Sequence, residues 1–182
     1  MNNKNSPSRY SPVAQALHWL TAILVLIAFI YGPGGSETRV YSDARDFDRR
    51  LHETLGLAVF LLSIVRLAWR AVDTRPDPPD VPRWMGLAAK AVQALLYVLL
   101  FIVPLTAITG AWLEGHPITW LGGNVGPWIG KSHDTGEVIA EVHGWLGDTI
   151  LWVAGAHAVA ALYHHFFLRD GVLRSMLPGT RA

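Results

Sequence analysis

The sequence predicts an all-α integral membrane protein, a four-helix bundle. Two observations carry that expectation. Of the 182 residues, 51% are hydrophobic and only 16% charged, where an ordinary soluble domain carries about 25% charge. The apolar residues also gather into four segments, each long enough to cross a bilayer at roughly 20 residues per span.

The first segment runs over about 13–31 and is closed by Gly32-Pro33-Gly34-Gly35. Ser11-Pro12 ahead of it reads as a cap with proline at the first helical position. Lys4 and Arg9 before an apolar run resemble a signal peptide, but the run contains Gln15 and His18 and no small-x-small pattern closes it. It is read as a retained first helix. The second segment covers about 51–72, before Arg75-Pro76-Asp77-Pro78-Pro79. The third covers about 85–112, with Pro104 inside as a kink. The fourth covers about 142–168, before Arg169-Asp170-Gly171. The chain, 1–182, is read as one transmembrane domain.

Charge asymmetry orients the bundle. The two ends and the second connection hold ten of the fifteen basic residues, among them Lys4, Arg66, Arg70, Arg174 and Arg181. The other two connections hold Arg39, Arg45, Arg49, Arg50 and Lys131. Acidic residues lean the opposite way, four against ten. The positive-inside rule places both termini in the cytoplasm and, in a bacterial inner membrane, the acidic side in the periplasm. A net charge of +1 gives no reason to expect nucleic acid as a partner. With no cysteine there is no disulfide, thiolate ligand or covalent haem attachment.

His143 and His157 share the fourth segment, fourteen residues apart. On a helix that spacing returns to within about 40° of the starting direction, about 21 Å further along the axis. Two imidazoles on one stripe need two partners at different depths. His18 lies at the cytoplasmic start of the first segment. His52 lies at the periplasmic start of the second. The pairs are then His18 with His157 and His52 with His143. Four histidines in two layers suit two b haems, bound between helices 1, 2 and 4, each iron held by two axial imidazoles. Gly56, Gly144, Gly147 and Ala161 near the ligands lower the helix surface for a wide, flat ring. A lone histidine in a membrane helix is more often packed or interfacial. Four that pair by depth under an independent topology argue for function. A metal transporter is disfavoured, because only Glu53 and Asp148 fall inside the segments, near the periplasmic end.

Arg66 lies fourteen residues after His52. It is either a partner for a propionate of the cytoplasmic haem or an arginine snorkelling to the headgroups. His164, seven residues after His157, is either a proton carrier for a quinone or an interfacial histidine beside Tyr163 and Phe166. His116 and His133 fall in the third connection, where histidines are mostly solvated. The tryptophans read as belt and core.

With these residues placed, the chain resembles the bacterial cytochrome b561 family. The resemblance rests on Tyr10-Ser11 and Leu17-His18-Trp19-Leu20, on His52-Glu53-Thr54-Leu55-Gly56 and Val65-Arg66-Leu67. It continues in His143-Gly144-Trp145, Ala156-His157-Ala158, and His164-His165-Phe166 leading to Leu173-Arg174-Ser175-Met176-Leu177-Pro178. It implies a di-haem, four-helix membrane cytochrome with ligands on His18, His52, His143 and His157. It also implies an oxidoreductase taking electrons from superoxide or a similar periplasmic donor and passing them to ubiquinone. The other function it implies is an electron relay, a cytochrome b subunit anchoring a dehydrogenase or hydrogenase. An anionic donor favours a basic entrance. The periplasmic side counts five basic residues against ten acidic, although Arg49 and Arg50 beside His52 offer a local basic patch.

Overall fold

A computed structural model describes residues 9–77 and 81–179. Lys4 and Arg181 of the charge argument, and Pro78-Pro79 of the second break, lie outside the described residues. Helix α1 spans Pro12–Ile30, α2 Glu37–Val40, α3 Asp46–Val72, α4 Arg83–Glu114, α5 His133–Tyr163 and α6 Val172–Met176. A 3-10 turn, Asp43–Arg45, leads into α3, and a π-helical turn, His164–Leu168, follows α5. Among the described residues, four helices are long and apolar enough to cross a membrane: α1, α3, α4 and α5. They form a four-helix membrane bundle.

Helix α1 starts where its cap dictates. The Ser11 hydroxyl accepts from the Ala14 amide at 3.2 Å, and Pro12 takes the first helical position. Helices α3 and α5 begin well before their apolar runs. The reason in α3 is a ladder of charges at helical spacing: Arg45 with Asp48, Arg49 with Asp46 and Glu53, Arg50 with Asp46. Pairs at i,i+3 and i,i+4 support helix without hydrophobicity, so hydropathy misses those turns. Helix α5 starts at His133, ten residues before His143, so His143 lies about 15 Å inside it.

Packing divides the bundle into two couples. Helix α1 lies mainly on α3, and α4 mainly on α5. The second couple is close because its contact residues are small. A Cβ on Gly110 would meet the Ala140 amide nitrogen at 3.2 Å. Val59, Leu99, Leu100 and Ile150 fill the centre where α3, α4 and α5 meet. Much of the remaining apolar surface is uncovered, including Ile23, Leu26, Val98, Leu105, Trp145 and Trp152. That is the expected dress of helices facing lipid.

The third connection holds an element that hydropathy does not show. Strands β1, Ile118–Trp120, and β2, Gly123–Val125, pair antiparallel with Ile118 opposite Val125. Leu121 and Gly122 turn the chain with φ of 48° and 85°, the two positive values a type I′ hairpin turn requires. The hairpin rests on α3. The Thr119 amide donates to the Glu53 carboxylate at 2.7 Å. At the other end of the bundle the C-terminal segment clasps α1: the Trp19 indole donates to the Met176 carbonyl at 2.8 Å and Gln15 to the Ser175 carbonyl at 3.1 Å.

Candidate functional site

Helix α5 brings two histidines to two different neighbours. The rings of His52 on α3 and His143 on α5 have centres 5.9 Å apart, with planes at 80°. The rings of His18 on α1 and His157 on α5 have centres 6.4 Å apart, with planes at 72°. The two pairs lie about 21 Å apart along α5, by the rise of the helix. Imidazole nitrogens bind a first-row ion such as zinc at about 2.0–2.1 Å, so two rings sharing one ion from opposite sides have centres about 6 Å apart.

The pair His52 and His143 is held by the backbone. Carbonyl oxygen can only accept, so the bonded Nδ1 of each ring carries the proton. His52 donates to Ala28 at 2.7 Å and His143 to Val103 at 3.0 Å. Each ring is thereby fixed in the tautomer whose Nε2 offers a lone pair. Around them lies a cleft of about 800 Å³ lined by His52, His143, Gly56, Gly147, Ala28 and Ile118. A Cβ on Gly56, Gly144 or Gly147 would meet nothing within 4 Å. The cleft is almost wholly apolar in its lining, to which the hairpin contributes Ile118.

The inner pair has a different neighbour. The Arg66 guanidinium donates to Nδ1 of His18 at 3.0 Å. Arg66 also lies over the Tyr97 ring, 5.5 Å from its centre. It is drawn inward to His18 rather than outward to the headgroups. Arg70 takes the second place on Tyr97 and bonds Gln93. A cleft of about 410 Å³ adjoins them, lined by Tyr10, Arg66, Trp69, Arg70 and Tyr97. His164 opens the π-helical turn, and its Nδ1–H donates to the Asp170 carboxylate. The other oxygen of Asp170 accepts from the Val172 amide at 3.1 Å. Asp170 is a partner that the sequence did not disclose, because it sits in a segment read only as a helix break.

Arg49 and Arg50 do not form a free basic patch beside His52. Both are tied to Asp46, and Arg49 bonds both oxygens of Glu53 at 3.0 and 3.2 Å. The local charges balance, because Arg45, Arg49 and Arg50 meet Asp46, Asp48 and Glu53 along the same stretch of chain. Buried Nε of Arg49 alone remains without a partner among the described residues.

His116 is not simply solvated. Its ring stacks on Tyr41 with centres 3.6 Å apart, and its Nε2 lies 2.7 Å from a carboxylate oxygen of Glu37. That hydrogen bond, and the neighbouring His116, His133 and Lys131, hold the Glu37 carboxyl below the ordinary range. Burial, with Glu53 close by, pushes the Tyr41 hydroxyl above its ordinary value. Arg49 also lies over the Tyr41 ring, 5.0 Å from its centre.

A family model for prokaryotic cytochrome b561 matches residues 9–179. The chain is 28% identical to "Cytochrome b561 homolog 2" of Escherichia coli (strain K12), over 97% of this chain and 95% of that protein. It is 31% identical to "Cytochrome b562" of Cereibacter sphaeroides, over 92% and 94% of the two chains. To "Probable superoxide oxidase CybB" of Yersinia pestis it is 28% identical, over 95% and 98%. A family of membrane cytochromes, together with four helices able to span a bilayer, makes this a multi-pass inner-membrane protein of transmembrane electron transfer that uses b-type haem. The chain belongs to the prokaryotic cytochrome b561 family.

Proposed function

We propose that the protein, as a single domain, holds two b-type haems, one on His52 and His143 and one on His18 and His157. Through them it carries electrons from a small periplasmic donor, superoxide or a similar species, to ubiquinone. The observation that carries this reading is the pair of ring separations, 5.9 and 6.4 Å, from partners on one helix. A b haem held by these histidines would supply one-electron transfer.

The chain's own groups do the rest. His52 and His143 present Nε2 because Ala28 and Val103 hold their Nδ1 protons. Gly56, Gly144 and Gly147 leave width for a flat ring. At the inner pair, Arg66 must release Nδ1 of His18 before that ring can take the same tautomer. A propionate is the acceptor that would draw it off. His164, with its Nδ1 proton held by Asp170, keeps Nε2 to receive or deliver protons at the cytoplasmic edge. Two superoxide ions, each losing one electron to leave dioxygen, match the two electrons and two protons that convert one quinone to quinol.

The relative named as a probable superoxide oxidase supports the donor. A second reading has its own observation. Leu121 at the hairpin tip and Trp128 beyond it are 76% and 75% exposed, an apolar surface suited to a redox partner protein such as a dehydrogenase or hydrogenase. The purified protein, given superoxide and a soluble ubiquinone, separates the two. The first reading expects quinol formation without any partner. A protein that stays inert until a partner is added supports the second.

A further inference from the structure

Away from the paired rings, three chain segments bring a mixed donor set to one point. Glu37 comes from α2, Glu114 is the last residue of α4, and His133 is the first of α5. One ligand atom from each lies within 4.8 Å of the other two. Two carboxylates so close repel unless a cation stands between them or one of them holds a proton. Glu114 is only 6% exposed. One of its carboxylate oxygens faces the ligand atoms of Glu37 and His133.

The surroundings look like the support of a metal ligand. Glu37 is gripped on one oxygen by His116 at 2.7 Å, and its other oxygen faces His133 at 3.8 Å. Ligating carboxylates are characteristically held in this way by a second group. His116 is itself fixed by stacking on Tyr41. Glu114 has little freedom to turn away, because its side chain presses on Gly136: a Cβ there would come within 2.7 Å of the Glu114 Cγ. Tetrahedral bonds of about 2.0–2.1 Å put ligand atoms roughly 3.3 Å apart. A half-exposed His133 can swing to close the remaining gap. Lys131 also lies near Glu37, and it is exposed.

We propose that Glu37, Glu114 and His133 form a divalent transition-metal site of the zinc class, with His116 positioning Glu37. One imidazole with two carboxylates favours zinc over magnesium, which prefers oxygen and water alone. A bound ion would pin the first outer connection to the ends of α4 and α5. The reading stands independently of the haem assignments.

The test is calorimetric titration of zinc into the purified, haem-loaded protein after chelator treatment, with magnesium as control. The expected result is one saturable zinc site per chain and none for magnesium at the same concentration. Glu114→Gln and His133→Ala should each weaken it at least about tenfold, and His116→Ala by about 10–100-fold. Zinc should raise the melting temperature of the wild type but not of these variants. His133→Ala changes a half-exposed residue, so it decides the matter even if Glu114→Gln fails to fold. Absence of zinc binding, or variants that bind zinc as tightly as the wild type, would overturn the site and leave Lys131 as the counter-ion.

Discussion

His52 donates its Nδ1 proton to the Ala28 carbonyl at 2.7 Å, and this one bond ties α3 to α1 while aiming Nε2 at His143. The bond decides which nitrogen is available. The other pair differs, since Nδ1 of His18 accepts from Arg66 instead of donating to a carbonyl.

Filling the outer cleft should remove one haem and spare the fold. Gly147 lines the cleft, and a Cβ there meets nothing within 4 Å. Gly147→Leu adds bulk where the ring must lie and improves helix propensity by up to about 1 kcal/mol. The expected variant has unchanged helical content and half the haem. Circular dichroism with a pyridine haemochrome assay reads both. Full haem content in this variant would place the ring elsewhere.

Arg66→Gln should shift one midpoint potential only. Removing a positive charge near the inner haem favours its oxidised form, so that potential should fall by an amount on the order of tens of millivolts. The other should stay where it was. A redox titration followed by absorbance shows the two waves. Equal shifts in both waves would rule out a local role for Arg66.

His164→Leu and Asp170→Asn should both slow reoxidation by quinone while leaving haem content and the rate of reduction intact. His164 would lose its proton-carrying nitrogen, and Asp170→Asn would loosen the grip on the Nδ1 proton. Stopped-flow reoxidation with a soluble ubiquinone measures the effect, expected at roughly 10²-fold or more for His164→Leu. Unchanged rates would make His164 an interfacial residue only.

Much of the bundle could be read from sequence because lipid imposes a simple rule: about 20 apolar residues per span and charge outside. The approach of His143 to His52 and of His157 to His18 was legible for a similar reason. A fourteen-residue spacing on a straight helix has only one geometry. What hydropathy could not show lies where charge takes over. The first turns of α3 are held by Arg49 with Asp46 and Glu53, and their charged residues look like loop. The hairpin Ile118–Val125 is two strands of three residues around Leu121-Gly122, too short for an alternating pattern to register. His116 meets Glu37 across 79 residues, a contact that no local spacing announces. Asp170 meets His164 from beyond the π-helical turn His164–Leu168, after the left-handed Arg169, a geometry that regular helical spacing does not announce.

Both termini should be cytoplasmic, as the ten-to-five basic asymmetry requires. A C-terminal alkaline phosphatase fusion should be inactive, and a green fluorescent fusion at the same point should fluoresce. The opposite pattern would turn the bundle over, exchanging the faces assigned to the two histidine pairs.

The central claim is that four histidines hold two haems in two layers, and a haem count with ligand variants tests it most directly. The pyridine haemochrome assay should give two b haems per chain in the wild type and one in His52→Leu and in His18→Leu. The wave lost on redox titration should differ between those two variants, with His143→Leu matching the first and His157→Leu the second. One haem or none in the wild type, or the same wave lost from His18→Leu and His143→Leu, would contradict it.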